Sequence, residues 1–300
     1  MTRYPRLMPA DPKLFTAHVV ATRRTSPSFQ RVTIAGADLA AFEWSGNDHW
    51  FRLFLPPAGS PLVLPAVSGR AWYKRYLEIG EQERPHCSNY TVADFRPVGG
   101  GAREFGRSAL PGSALPGSAL PGSALPESAL PEMDIDVVLH WDEAGEIAGR
   151  VAIWATSATP GSAIALLDQG PLFDPPADVG AVHLICDETG LPAVRGILRS
   201  LDERMIGTAI IEVPLEADIE PLAAPPGVEV QWVARTGDPG RAALDALAET
   251  TSTSAPEPND YAFVVGESAL ATEGRRALHR AGLAKSRITF SGYWKRSVHN

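Results

Sequence analysis

Residues 183–194 read HLICDETGLPAV, an apolar run that halts at two carboxylates and resumes with a different period. Val182 to Cys186 is compact and strand-like. From Leu191 onward, Leu191, Val194, Ile197, Leu198 and Leu201 recur on one face of a helix. Asp187, Glu188 and Thr189 fill the turn between them. The same alternation continues downstream. Thr208–Val213 and Val228–Val233 read as strands, Arg241–Glu249 as a helix, Tyr261–Val265 as a buried strand, Ser268–Arg280 as an amphipathic helix and Ile288–Tyr293 as a last strand. Strand and helix at this spacing predict a doubly wound parallel α/β sheet over residues 179–300.

Upstream the rhythm differs. Phe15–Thr22, Phe29–Ile34, Trp50–Leu55, Ser88–Phe95, Ile135–Trp141 and Ala163–Leu167 are short β-branched and aromatic runs separated by Pro and Gly punctuation. One helix is expected near Arg150–Ala155. Six such runs predict an N-terminal six-stranded antiparallel barrel over residues 1–178. The 300-residue length, at roughly 150 residues per domain, agrees with two domains.

Composition narrows the function. With 27 Lys and Arg against 35 Asp and Glu, the net charge is −8, and no basic run is present, which argues against nucleic acid or an anionic membrane as partner. Cys87 and Cys186 stand 99 residues apart with no CxxC, HExxH or Cys/His cluster beside them, so neither a disulfide framework nor a structural zinc is expected. The N-terminal stretch MTRYPRLMPADPKLF has no continuous apolar segment of signal-peptide length, and the chain reads as cytoplasmic. Residues 108–132 repeat SALPG three times and SALPE twice, after Gly99-Gly100-Gly101. A period of five fits neither helix nor strand, and a proline in every pentad stops helix growth, so 99–132 reads as a flexible insertion between two barrel strands.

Four places carry candidate chemistry. Tyr90 and Thr91, in RPHCSNYTVADF (84–95), lie on opposite faces of a strand, so that one can meet a ligand while the other packs. His140 ends the apolar run DIDVVLHW (134–141), and Trp154 follows in AIWAT; both residue types are equally at home in a core or rim. Asp187, Glu188 and Thr189 sit where a parallel strand enters a helix. The crevice beyond such a strand is where α/β sheets take ligands, and a hydroxyl with backbone N–H groups there suits a phosphate. The acidic pair is equally explained by capping. No G-x-G-x-x-G is present. Finally, Tyr293, Trp294, Lys295 and Arg296 place aromatic rings beside two cations, an arrangement suited to a planar or anionic ligand.

Taken together, QRVTIAG (30–36), DHWFRLFLP (48–56), RPHCSNYTVADF, DIDVVLHW, ATPGSAIALLDQGP (158–171), CDETGLPAV (186–194), YAFVVGE (261–267) and SGYWKRS (291–297) resemble, in order, the siderophore-interacting proteins. That family is a flavin-dependent branch of the ferredoxin-reductase superfamily. The resemblance implies a barrel that binds FAD and a second domain that receives NAD(P)H or another donor. It also implies a ferric siderophore docked near the flavin in a basic cleft. Reduction to ferrous iron loosens hard oxygen chelation. By the same resemblance Tyr90, Thr91, His140, Trp154, Gly170 and Pro171 lie on the FAD side. Asp187, Glu188 and Thr189 lie on the NAD(P)H side, and Tyr293, Trp294, Lys295 and Arg296 at the substrate.

The chain also departs from the family pattern. Ser88 stands where the family's flavin strand has a diphosphate-binding arginine, and Ala93 where a second arginine is usual. The Gly-Pro-Ala-Ser-x-Trp-Ala loop survives as Val151–Ala155, and a glycine-rich phosphate turn has become Gly170-Pro171-Leu172-Phe173. Three functional readings therefore stand. One is an FAD-dependent ferric-siderophore reductase. Another is a flavin-less member using the interdomain cleft for a non-redox step such as cyclisation or isomerisation. The third is a non-enzymatic carrier of an iron chelate.

Overall fold

The structure is a computed structural model and describes residue 9 and residues 11–67, 69–98 and 130–296. The repeat insertion, up to residue 129, lies outside the described residues.

Among the described residues, eight strands and two α-helices occupy the first half: β1 (Leu14–Ser26), β2 (Phe29–Ala35), β3 (Trp50–Leu55), α1 (Trp72–Glu78), β4 (His86–Arg96), β5 (Glu132–Val138), β6 (His140–Trp141), β7 (Ile147–Ala148), α2 (Arg150–Ser157) and β8 (Ala163–Gly170). Six of them close an antiparallel barrel in the order β1-β2-β5-β4-β3-β8. Alternate residues of every strand point inward, among them Val19, Ile34, Phe51, Leu53, Val92, Ile135 and Ile164, and Val151 and Ala155 of α2 pack against the same core.

The run Ile135–Trp141 is not a single strand. β5 ends at Val138, and the next residue, Leu139, donates its N–H to the Ser28 carbonyl at 2.9 Å. Beyond it the chain leaves the barrel. His140 and Trp141 pair instead with Ala148 and Ile147, around a turn in which Asp142 accepts from the Ala144 and Glu146 N–H groups at 3.0 and 2.9 Å. His140 thus belongs to a separate two-stranded ladder.

The second half comprises β9 (Ala181–Cys186), α3 (Leu191–Ser200), β10 (Ile206–Val213), β11 (Gly227–Ala234), α4 (Arg241–Thr253), β12 (Tyr261–Glu267), α5 (Ser268–Arg280) and β13 (Ile288–Trp294). Its five strands form a parallel sheet ordered β11-β10-β9-β12-β13. α3 covers one face through Leu191, Val194, Ile197 and Leu198; α4 and α5 cover the other through Ala243, Leu247, Leu270 and Leu278. Strand order reverses between β9 and β12, so the crevice beyond Cys186 and Glu267 is the switch point at which such sheets take ligands.

Barrel and sheet are fastened to each other. Phe29 and Phe173 enter the apolar layer beneath α3, where the Phe173 ring meets Tyr261 and Phe263 edge-on at 5.5 and 5.9 Å. Asp218 accepts from Ser26 Oγ, Ser28 N and Ser28 Oγ at 2.5, 2.9 and 2.7 Å. Arg195 of α3 donates to Asp136 of β5 at 2.6 Å, and Arg199 donates to the Ala93 carbonyl at 2.6 Å. The closest approach is at Gly196, where a Cβ would lie 1.9 Å from the Asn47 carbonyl oxygen. Gly196→Ala therefore has to push two backbones apart. It is expected to lower stability by about 1–3 kcal/mol, read as a shifted midpoint in chemical denaturation; an unchanged midpoint would show that the seam yields freely.

Candidate active-site seam

The two motifs that stand out in the C-terminal half meet at the switch point. Asp187, fully buried, follows β9 and caps the turn before α3. Its carboxylate accepts from Thr189 N at 2.9 Å, Thr189 Oγ1 at 2.5 Å, Glu267 N at 2.6 Å and Trp294 Nε1 at 3.0 Å. The Thr189 hydroxyl and N–H, read from sequence as phosphate donors, are thus both turned onto Asp187. Gly266, at φ +131°, is required here, since a Cβ would lie within 2.7 Å of all three carboxylate atoms of Asp187. Burial outweighs these hydrogen bonds and raises the Asp187 pKa above the usual carboxylate range.

Glu188 is also buried and pairs with Arg235, which in turn bonds Glu212 at 2.8 Å. Glu212 spends its remaining capacity on the Gly240 and Ala243 N–H groups at 2.8 and 3.1 Å, at the start of α4. Burial and the neighbouring Asp187 push Glu188 up to about 7, against the pull of Arg235.

His140 reaches the same place from the barrel side. Its ring centroid lies 6.4 Å from that of Trp294. Partial burial and the positive charge of Arg235 hold its imidazole below the ordinary value. Tyr293 packs against the apolar layer beneath α3, and burial, Asp48, Cys186 and Asp187 together raise its phenol well above the usual range. Lys295 and Arg296 are exposed; Arg296 pairs with Asp238, and its N–H donates to Glu267 at 3.3 Å.

Asp48 continues the line into the barrel. It is fully buried, accepts from the Leu172 and Phe173 N–H groups at 2.9 Å each, and is raised by burial to about 6. The turn it holds begins at Gly170 and Pro171. Gly170 pairs with Trp50, and Trp50 pairs on its other side with Thr91. His49, beside Asp48, lies 2.8 Å from Asp168, whose Oδ1 also accepts the Gly170 N–H at 2.8 Å. Thr91 and Gly170 thus flank Trp50 beside the turn that Asp48 holds, while Asp187, Trp294 and His140 group at the switch point. Tyr90 and Trp154 each pack against the barrel core. Ser88 Oγ is 2.7 Å from His86 Nε2, and Ala93 is buried in the barrel wall.

Sequence reading passed over Asp48, His49 and Arg235. Asp48 and His49 stand in the quoted DHWFRLFLP run, but nothing local shows that an aspartate there will hold a turn 124 residues away.

Family comparison decides the lineage. The model described as "Siderophore-interacting FAD-binding domain" matches residues 18–105, and that described as "Siderophore-interacting protein" matches residues 179–297. The chain belongs to the siderophore-interacting protein family. An uncharacterized protein of Mycobacterium tuberculosis is 34% identical, over 94% of this chain and 90% of its own length. The NADPH-dependent ferric-chelate reductase of Escherichia coli is 23% identical, over 97% of both chains. A siderophore utilization protein from T. fusca has a crystal structure that superposes with a TM-score of 0.69 at 28% identity, covering 98% of this chain and 96% of that one. The fold of this family member is ferredoxin-reductase-like.

The Glu188 environment fixes a pH dependence. Its folded pKa, about 7, lies above its ordinary 4.5, so the native state keeps a proton that the unfolded chain releases. The stability it contributes is complete below pH 4.5 and is lost as pH rises through 7, with a slope of at most about 1.4 kcal/mol per pH unit. In urea denaturation across this window Glu188→Gln is expected to give a flatter profile than the natural chain; an identical slope would place the proton elsewhere.

Proposed function

We propose that this protein is a flavin-dependent reductase of chelated ferric iron that draws electrons from NAD(P)H or another donor. The observation that carries the reading is the approach of the barrel side to the sheet's switch point: the ring of His140, on the ladder that leaves the barrel, lies 6.4 Å from that of Trp294, whose indole N–H donates to buried Asp187. The match of the family's FAD-binding domain to the barrel and the named activity of the E. coli relative support it.

When bound, FAD supplies the conversion of a two-electron donor into single electrons for ferric iron. The protein's own contributions are positional. Thr91 and the Gly170-Pro171 turn border the flavin side, while Tyr90 and Trp154 pack on the barrel core that supports it. His140, its imidazole held below the ordinary value by burial and Arg235, borders the crevice beside Trp294. Asp187, Glu188 and Thr189 shape the floor where a nucleotide donor enters. Because their polar atoms are internally paired, they fix the backbone rather than grip a phosphate. Tyr293 and Trp294 offer aromatic surface, and the exposed Lys295 offers positive charge to an anionic ferric siderophore, Arg296 being paired with Asp238.

The alternative, a flavin-less member performing a non-redox conversion in the same cleft, is favoured by Ser88 and Ala93, which put no cation on β4 at the two arginine positions of the family pattern. The visible spectrum of the purified protein separates the two. Flavin bands, or quenching of flavin fluorescence on adding FAD, followed by NAD(P)H-driven release of ferrous iron to a chromogenic trap, are expected. Absence of any flavin uptake overturns the reductase reading in favour of the alternative.

A further inference from the structure

The turn that leads into β3 holds a serine, a histidine and a carboxylate in series. Ser45 is exposed, and its Oγ lies 3.0 Å from His49 Nδ1. The Ser45 backbone N–H donates to the same nitrogen at 3.2 Å, so Nδ1 carries a lone pair and the ring proton sits on Nε2. Nε2 lies 2.8 Å from Asp168 Oδ1 and therefore donates to it. The imidazole is buried and clamped. Its backbone N–H donates to the Gly46 carbonyl at 3.2 Å, its carbonyl accepts from Val92 at 2.9 Å, and its ring lies 4.9 Å from that of Phe42. Gly46 and Asn47, both left-handed at φ +68° and +51°, turn the chain sharply between the serine and the histidine. The Gly46 N–H, next along the chain from the Ser45 hydroxyl, donates to no group among the described residues. Phe42 also walls a hollow of about 180 Å³ with Glu43, Trp44, Phe95 and Pro97. None of Ser45, His49 and Asp168 takes part in the flavin chemistry proposed above.

A hydroxyl bonded to an imidazole whose other nitrogen is held by a carboxylate is the arrangement of an activated nucleophile. The two ring nitrogens exchange their usual parts here, Nδ1 facing the serine and Nε2 the aspartate, and the direction of proton flow is the same. We propose that Ser45, His49 and Asp168 form a second catalytic centre that hydrolyses carboxylic esters with a small, neutral, apolar acyl group. The aromatic hollow beside Ser45 suits such a group, and Glu43 in its wall disfavours an anionic one. Ser45 Oγ attacks the ester carbonyl carbon while its proton passes to His49 Nδ1. The carbon–oxygen bond to the alcohol breaks, and the alcohol leaves with that proton. Water then gives a proton to Nδ1 and attacks the acyl-serine, and His49 returns the proton to Ser45 as the carboxylic acid departs. The Gly46 N–H is the donor for the oxyanion formed in both steps.

Incubation of the full-length protein with p-nitrophenyl acetate and p-nitrophenyl butyrate, without flavin or reductant, tests the centre. Absorbance follows p-nitrophenolate, and mass spectrometry of peptides finds the acylated residue. Turnover with a transient acyl group on Ser45 is expected. Ser45→Ala, which removes one exposed hydroxyl, is expected to abolish both, and Ser45→Cys to keep acylation at that position. Asp168→Asn still offers an acceptor to the Gly170 N–H but no longer holds the ring proton on Nε2, and is expected to slow acylation at least about a hundredfold. Equal rates from Ser45→Ala, acyl groups found only on lysines, or an undiminished rate from Asp168→Asn would each overturn the centre. So would a natural chain that releases p-nitrophenolate no faster than buffer, or an acyl-Ser45 that forms and never turns over. FAD uptake is read separately, so failure of either activity leaves the other standing.

Discussion

A single buried carboxylate, that of Asp187, organises the half of the molecule where nucleotide, iron ligand and flavin would meet. Burying an ionised carboxylate costs several kcal/mol, and each hydrogen bond to it returns about 1.5–3. Four donors from three segments converge on Asp187: Thr189 from the turn, Glu267 from the end of β12 and Trp294 from the end of β13. The carboxylate therefore ties both sides of the switch point together, and it does so only because Gly266 leaves room for it. Cys-Asp-Glu-Thr-Gly and Gly-Tyr-Trp lie about a hundred residues apart in sequence but are two halves of one hydrogen-bonded knot.

The same device recurs in the barrel. Asp48 gathers Leu172 and Phe173 as Asp187 gathers Thr189 and Glu267, and Asp218 gathers Ser26 and Ser28. Each of these carboxylates joins segments distant in sequence, and Asp218 joins sheet to barrel directly. With Phe173 seated among Tyr261 and Phe263, and with Gly196 against Asn47, the two halves form a fitted joint. Such a joint keeps the residues that face each other across it in fixed register.

The sequence by itself determined the barrel and the parallel sheet, because alternation and helical spacing are local consequences of which face of each element is buried. The turn residues Asp187 to Thr189 and the aromatic-cationic end of β13 were legible for the same reason: each is a short run with chemistry of its own. Where β5 ends was not legible, since Leu139 continues the apolar run and only its hydrogen bond to Ser28 diverts the chain. Nor was the state of the Thr189 hydroxyl, which looks free in sequence and is bound to Asp187 in space. Only the tertiary structure decided that His140 stands beside Trp294 and that Asp48 holds the turn after Gly170. Those are contacts between segments far apart in the chain, and no local periodicity encodes which distant partner a polar group will find.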